Sequence, residues 1–241
     1  MGSIRIGTAG WSIARAAVAR FPAEGSGLER YAEVFGAVEI NSSFHRPHRV
    51  STWERWRDSV PADFRFSVKL PKRITHELKL VGFEEAMTVF LAEAGALRDK
   101  LAVLLVQLPP KLAFEPGIAR TFFADVAARS SAAIACEPRH ESWFSAEADA
   151  LLAELQVARV AAEPARHPGA GEPGGWRGLA YWRLHGSPVM YRSSYGERVA
   201  AYDAALEAEA ELGCEAWCVF DNTASSAATA DALALIEALG A

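Results

Sequence analysis

Short apolar runs, many of them rich in β-branched residues, alternate about eight times along the chain with stretches of helical spacing. The apolar runs are residues 4–8, 37–41, 64–70, 101–108, 132–137, 157–162, 179–185 and 215–221. The stretches of helical spacing are residues 27–35, 52–60, 82–97, 117–128, 146–155, 198–212 and 224–239. A helix after each strand returns the chain to the same edge of a sheet, so this alternation predicts an α/β fold with parallel strands. Eight repeats close most economically as a (β/α)8 TIM-type barrel, and we predict one such domain over residues 1–241.

Residues 157–162 form the weakest of the eight runs, and a Pro- and Gly-rich segment, 163–178, follows it. We interpret that segment as an irregular loop, because it is too short to separate two domains. Any irregularity of the barrel is therefore expected around strand six. A doubly wound open sheet is the alternative fold, but no glycine-rich nucleotide-binding motif follows any of the runs.

The composition narrows the class of protein. A hydrophobic fraction of 51% supplies ample core, and a net charge of −5 argues against a protein that coats nucleic acid by bulk electrostatics. The net charge does not exclude a local basic patch. Three cysteines, without zinc-site spacing, indicate buried thiols in a reducing compartment, so we predict a cytoplasmic protein. No apolar run is long enough to span a membrane, and we expect no membrane partner.

Alternate residues of each strand point to opposite sides, and the two sets differ in character. One set is almost wholly apolar and is expected to face the helices. It comprises Val38, Ile40, Phe66, Val68, Leu104, Val106, Ile134, Cys136, Trp182 and Leu184. The other set ends in polar groups: Glu39, Asn41, Lys69, Gln107, Glu137, Arg183, His185 and Asp221. These groups are costly to bury unpaired, so they must pair with one another or with a ligand.

The loops beyond the strand ends add cations and aromatic rings. The cations and histidines are His45, Arg46, His48, Arg49, Lys72, Arg73, His76, Lys111, Arg139, His140 and Arg192. Such a face attracts anions, and phosphate suits the arginine fork. The aromatic residues Trp11, Trp143, Tyr191 and Tyr195 are placed to stack on a base or a sugar. Trp143 is equally well explained as a helix-packing residue, and His140 and His185 as hydrogen-bonded structural histidines.

Six sequence blocks occur together in an order that resembles the YecE-like family, domain of unknown function 72. The blocks are VEINSSFHRP, FRFSVKLPKRITH, LLVQLPP, EPRHESW, YWRLHGSP and VFDNT. The resemblance covers nearly the whole chain and implies a TIM-type barrel. It also implies that the motif residues, now including Asn222, lie together at the mouth of the barrel, where the strands have their C-terminal ends. Relatives commonly carry two asparagines where this chain has Asp221 and Asn222. The resemblance supplies no reaction.

Our leading hypothesis is an enzyme that acts on an anionic, phosphate-bearing substrate, either a nucleic acid or a phosphosugar, by hydrolysis or isomerisation. The residues assigned to catalysis are Glu39, Glu137, His185 and Asp221, and the residues assigned to substrate binding are Asn41, Lys69, His76, Gln107, Arg139, His140, Trp143, Arg183, Tyr195 and Asn222. Phosphodiester hydrolysis and phosphosugar chemistry are both open. A divalent metal held by the four catalytic residues is a further hypothesis, because oxygen and imidazole ligands suit such an ion.

Two other hypotheses stay open. A non-catalytic protein that binds single-stranded or damaged nucleic acid would use the same cations, with the aromatic residues for stacking. A structural ring of ion pairs would hold the fold together without any chemistry.

Overall fold

A computed structural model describes residues 2–240 of the chain. Its strands are β1 (Ile4–Thr8), β2 (Ala37–Ile40), β3 (Arg65–Lys69), β4 (Leu101–Gln107), β5 (Ala133–Glu137), β6 (Val157–Arg159), β7 (Ala161–Glu163), β8 (Gly174–Gly175), β9 (Leu179–Leu184) and β10 (Glu215–Phe220). Its α-helices are α1 (Gly27–Ala32), α2 (Ser42–His45), α3 (Val50–Asp58), α4 (Glu84–Ala94), α5 (Pro116–Arg129), α6 (Ala146–Glu154), α7 (Ala200–Glu211) and α8 (Ala227–Ala238).

The strands form two sheets. One has four strands in the order β1-β10-β9-β7, and the other has six in the order β2-β3-β4-β5-β6-β8. The neighbouring strands are parallel except for β8, which pairs antiparallel with β6. The prediction of a single eight-stranded parallel barrel is therefore wrong, although the α/β class is correct.

The departure from one closed sheet lies at two places. Around strand six, residues 157–159 pair with β5 of the six-stranded sheet, whereas residues 161–163 pair with β9 of the four-stranded sheet. At the other junction, β1 and β2 are joined by an isolated bridge between Ala9 and Glu39. Alternation of side chains fixes which face of a strand is buried, but not which edges hydrogen-bond. The closure could not be inferred from the sequence for that reason.

A close approach between β1 and β2 depends on Gly7. A Cβ atom at this position would lie 2.3 Å from the carbonyl oxygen of Ala37, which is closer than atoms can pack. Tyr31 of α1 reinforces the junction, because its hydroxyl accepts from the amide of Thr8 and lies 3.1 Å from the Ala37 oxygen. The edges of the two sheets therefore meet without a side chain between them.

Helices α1, α5 and α6 begin at residues whose side chains cap them. Ser26 and Glu29 form a reciprocal capping box at the start of α1. The Glu115 side chain accepts from the amide of Ile118 at the start of α5, and Pro116 occupies the first turn. These local signals fix where α1 and α5 start.

Two apolar clusters fill the molecule. The larger one contains every residue of the predicted outward set and packs the strands against the helices. The smaller one is built from both sheets and comprises Ala37, Val103, Leu105, Ala135, Ala158, Val160, Leu179, Tyr181, Trp217 and Val219. The sheets therefore share an interior, and the polar strand ends lie beyond it. Among residues 2–240, no helix is both long and apolar enough to cross a bilayer.

Candidate functional site

Arg183 is the central residue of a polar cluster at the C-terminal ends of the strands. Its guanidinium donates from Nε to Oε2 of Glu39 at 2.9 Å and from Nη2 to Oε1 of Glu39 at 2.7 Å. Its Nη1 donates to Oε2 of Glu137, and Nη2 also donates to Oδ2 of Asp221 at 3.1 Å. The side chain is fully buried. A planar fork with several donors is the group best suited to satisfy three carboxylates at once.

The sequence places these residues together through strand parity. Glu39 lies on β2, Glu137 ends β5 and Arg183 lies near the end of β9. Gln107 ends β4 in register with Glu137, and its Nε2 donates to Oε1 of Glu137 at 3.0 Å. We call the following residues the strand-end cluster: Glu39, Lys69, Gln107, Glu137, Arg183, His185 and Asp221. Direct contacts join all of these side chains except Lys69.

His185 lies between two carboxylates. Its Nδ1 is 3.0 Å from Oδ2 of Asp221, and its Nε2 is 3.4 Å from Oε1 of Glu137 without hydrogen-bonding alignment. Burial alone would lower the pKa of His185, but Glu137 and Asp221 outweigh burial and raise the pKa above its usual value. Asp221 thus holds the ring in place through Nδ1, while Nε2 has no hydrogen-bond partner.

The two carboxylates beside His185 stay ionised. Burial raises the pKa of Glu137, but Arg183, then His185 and Arg139, hold it well below its usual range. The pKa of Asp221 is likewise lowered, because Arg183 and His185 outweigh the effect of burial. The cluster therefore carries fixed negative charges around a titratable imidazole, an arrangement that suits proton transfer.

Lys69 is the cation of the cluster that lacks an anionic partner. It ends β3 and is 9% exposed, and its Nζ lies 4.2 Å from the centre of the Phe44 ring. Within the part of the chain that the structure describes, no carboxylate oxygen lies within 4.0 Å of this Nζ. Burial, together with the charge of Arg183, lowers the pKa of Lys69 to about 8.

Three further predicted residues lie around the cluster. Arg139 donates from Nε to Oε1 of Glu137 at 3.1 Å and keeps part of its side chain exposed. His76 packs its ring against Phe44, and burial lowers its pKa together with the charges of Lys69 and Arg139. The buried Oδ1 of Asn41 has no hydrogen-bond partner. Arg139 thus adds a cation to the cluster, and Asn41 adds a buried acceptor oxygen without a partner.

Four predicted binding residues have structural roles instead. Trp143 is buried and donates from Nε1 to the Leu112 oxygen. His140 accepts from the amide of Ser142 and begins a turn of 3-10 helix. The Tyr195 hydroxyl donates to Oε2 of Glu163 at 2.7 Å, and Asn222 donates to Oδ2 of Asp231 at 2.7 Å. The predicted stacking by Trp143 and Tyr195 is wrong, because both rings pack inside the protein.

Two residues of the site were missed by the sequence analysis. Tyr181 shares the parity of Arg183, and its buried hydroxyl lies 2.9 Å from both Oε2 of Glu39 and Oγ of Ser67. That parity was the available signal. Phe44 lies in the short helix after β2, where no periodic pattern indicates that its ring meets Lys69.

The carboxylates of the cluster all point at the guanidinium of Arg183 and not at a site that a metal ion could occupy. Across residues 2–240, no three His, Cys, Asp or Glu side chains form a group of metal-binding geometry. Of the four residues proposed to hold a metal, Glu39, Glu137 and Asp221 pair with the guanidinium of Arg183. The fourth, His185, lies between Glu137 and Asp221.

A surface pocket of about 640 Å³ is lined in part by Phe44. It is lined by Ser43, Phe44, His45, Arg46, Pro47, Pro71, Lys72, Arg73, Glu77, Glu85, Ala86, Val89, Phe90 and Glu93. Part of the positive charge expected around the strand ends therefore lines this neighbouring pocket, where three glutamates offset it.

Comparison with known proteins identifies the family. A family model described as "Protein of unknown function DUF72" matches residues 5–241. The chain is 33% identical over 82 residues to the UPF0759 protein YecE of Escherichia coli strain K12, an alignment that covers 34% of this chain and 30% of YecE. The same identity and coverage apply to YecE of Escherichia coli O157:H7.

Two solved structures share the fold. A DUF72 family protein from Enterococcus faecalis V583 superposes with a TM-score of 0.83 at 20% identity, over 99% of this chain and 96% of the other. A DUF72 family protein from Thermotoga maritima MSB8 gives a TM-score of 0.78 at 23% identity, over 99% of this chain and all of the other. The fold is thus that of DUF72 proteins, and the resemblance noted in the sequence is confirmed.

Proposed function

The chain belongs to the DUF72 family of proteins of unknown function, and from the geometry of its strand-end cluster we propose that it is an enzyme that binds a small anionic molecule and transfers protons within it. The observation that carries this proposal is the unpaired Lys69 beside a cluster whose other charged groups form ion pairs. A buried ammonium without a counterion is unfavourable, and a bound anion would supply the missing charge.

The charge balance of the cluster supports an anionic ligand. With His185 protonated, the basic groups Lys69, Arg139, Arg183 and His185 outnumber the carboxylates Glu39, Glu137 and Asp221 by one. The surplus lies toward Lys69 and Arg139, because Arg183 is enclosed by carboxylates. An anion bound at the cluster would therefore be held by these two cations.

The proton-transfer groups are His185 and Glu137. Asp221 orients the imidazole through Nδ1, which leaves Nε2 beside Glu137 and free of a hydrogen bond. An imidazole held by a carboxylate in this way serves as a general acid or base. Glu39 and Arg183 set the field around it and hold the two sheets in register. Proton transfer of this kind suits isomerisation of a phosphosugar.

Size and burial favour a small substrate over a nucleic-acid strand. Glu39, Arg183 and His185 are at most 2% exposed, so a polymer has no access to them. The aromatic residues expected to stack on bases are buried or paired with other rings, as Trp11 is with Trp56. These placements disfavour the single-stranded nucleic-acid binder. Three buried free thiols support the cytoplasm as the compartment in which we place this activity.

The binding half of the proposal is tested by calorimetric titration with inorganic phosphate at low ionic strength. We expect saturable binding that weakens with added salt and is reduced at least tenfold by Arg139→Gln. The matched control is Arg15→Gln, an exposed arginine, which should bind as the wild type does. Absence of saturable binding, or an equal effect of both variants, contradicts the proposal.

The catalytic half is tested with a panel of phosphosugars, followed by isomer separation, with and without divalent ions. Phosphodiesters serve as the comparison substrates. Glu137→Gln should remove isomerisation while keeping the shape of the side chain. Equal turnover by Glu137→Gln and the wild type would remove Glu137 from the mechanism.

A further inference from the structure

The Lys69 amine is placed like a reactive group rather than a structural one. It lies at the end of β3, in the row of strand ends that continues through Gln107 of β4 to Glu137 of β5. Its Nζ sits over the face of Phe44, whose ring also meets the edge of His76. The amine thus lies against an aromatic ring and within the influence of the charges of Arg183, Glu39 and Glu137.

The other lysines show what a structural or solvated lysine looks like in this chain. Lys100 donates from Nζ to the carbonyl oxygens of Arg57 and Val60, both at 2.7 Å. Lys72 is exposed and lies 3.7 Å from Glu77, and Lys79 and Lys111 are exposed. Lys69 differs from all four, because within residues 2–240 its Nζ is largely buried and has neither a carbonyl nor a carboxylate partner.

Burial and a neighbouring cation are the two conditions that turn a lysine into a nucleophile. Both are met here, since Lys69 is 9% exposed and Arg183 adds positive charge nearby. The resulting pKa of about 8 leaves roughly one amine in ten neutral at pH 7, against fewer than one in a thousand for an exposed lysine.

We propose, resting on the function proposed above, that Lys69 is a catalytic nucleophile that forms an imine with the carbonyl group of the small anionic substrate. The substrate class is thereby narrowed to anionic aldehydes or ketones, which include the open-chain forms of phosphosugars. Arg139 is the cation that holds the anionic group of the same molecule.

The step is balanced without an added oxidant or reductant. The lone pair of the neutral Lys69 amine attacks the carbonyl carbon, and the carbon–oxygen π bond breaks. Both amine protons leave with the carbonyl oxygen as one molecule of water, and a carbon–nitrogen double bond remains. Once the imine takes up a proton, it withdraws electrons from the adjacent carbon, which eases the removal of a proton there by His185 or Glu137.

The test is reductive trapping with pyruvate, a small anionic ketone, and cyanoborohydride, which reduces an imine to a stable secondary amine. The wild-type protein is treated over a range of pH, and each lysine peptide is quantified by mass spectrometry. We expect Lys69 to be modified at least tenfold faster than Lys72, Lys79 or Lys111, with a half-maximal rate near pH 8. Equal or slower modification of Lys69 overturns the imine. Because the comparison is made within one protein, it does not depend on a variant that folds.

Two variants and one neutral probe sharpen the result. Lys69→Arg keeps the charge but should abolish the fast modification, whereas Lys79→Arg should leave it unchanged. Acetone, a ketone without charge, should modify Lys69 more slowly than pyruvate does; an equal rate contradicts the role of Arg139. If phosphate binds but Lys69 is not modified rapidly, the proposed imine is contradicted and the proposed anion site is supported. If Lys69 is modified rapidly but phosphate does not bind, the proposed anion site is contradicted and the proposed imine is supported.

Discussion

Nη2 of Arg183 on β9 lies 2.7 Å from Oε1 of Glu39 on β2, so that a fully buried ion pair joins the two sheets of the protein. The same guanidinium reaches Glu137 and Asp221 from two further strand ends. A buried pair of this kind adds little stability relative to an apolar pair, but removing one partner leaves uncompensated charge in the interior. The cluster is therefore a rigid electrostatic frame around His185 and Lys69.

Replacing Arg183 should destabilise the protein strongly. Arg183→Leu leaves the carboxylates of Glu39, Glu137 and Asp221 without their common partner, and we expect the free energy of unfolding to fall by about 3–5 kcal/mol. Urea denaturation measures the change. The exposed control Arg15→Leu should change the free energy by no more than about 0.5 kcal/mol. A loss below about 1 kcal/mol for Arg183→Leu would contradict the role assigned to it.

Tyr181→Phe should have a smaller effect. The change removes a hydroxyl that lies 2.9 Å from Glu39 and from Ser67, but Arg183 still satisfies the Glu39 carboxylate. We expect a loss of about 1 kcal/mol by urea denaturation, since one buried hydrogen-bonding group is removed. A loss as large as that of Arg183→Leu would show that Tyr181, rather than the guanidinium, organises the frame.

His185 should make stability fall as the pH rises above neutrality. Its pKa is raised in the folded protein, so its contribution is fully present below the unfolded value of 6.5 and is lost as the pH rises through the folded pKa. His48 and His76 have lowered pKa values and act below pH 6.5, which separates the windows. The difference in unfolding free energy between wild type and His185→Gln should shrink across the window above pH 6.5. A difference that is constant there would contradict a raised pKa.

Lys69→Met should stabilise the protein at pH 7. The pKa of Lys69 falls from 10.5 to about 8, which corresponds to a cost of about 3 kcal/mol for burying the charged form. The contact between the ammonium and the ring of Phe44 offsets part of this cost. We expect a gain of about 2 kcal/mol, or a rise in Tm of roughly 4–8 °C. Since the folded pKa is the lower one, the stability of the wild type should rise between pH 8 and 10.5, and that of the variant should not. A loss of stability in Lys69→Met at pH 7 would indicate that the ammonium is satisfied.

The grouping of polar side chains at the strand ends could be predicted from the sequence, because the alternation of side chains along a strand decides which face each one lies on. Glu39, Glu137 and Arg183 follow apolar residues of the opposite face, so any packing of these strands brings them to one side. The closure of the sheet could not be predicted, since the partner exchange between β6 and β7 depends on hydrogen-bonding edges.

Loop residues were predicted less well for a related reason. Trp143 and Tyr195 have amphipathic side chains that fit both a surface and a core, and neither lies in a periodic segment that would decide between them. Phe44 lies in a helix of four residues, and the orientation of so short a helix depends on tertiary contacts. Its contact with Lys69 could therefore not be predicted from the sequence.

The titration of Lys69 itself tests the central claim most directly. The chain has five lysines, Lys69, Lys72, Lys79, Lys100 and Lys111, so the carbon-13 signals of their Cε atoms can be followed individually by NMR, with Lys69→Arg used for assignment. We expect the Lys69 signal to titrate near pH 8 in the free protein and at a higher pH in the presence of inorganic phosphate. A Lys69 signal that titrates near 10.5 and does not respond to phosphate would contradict an unpaired, anion-binding amine at this site.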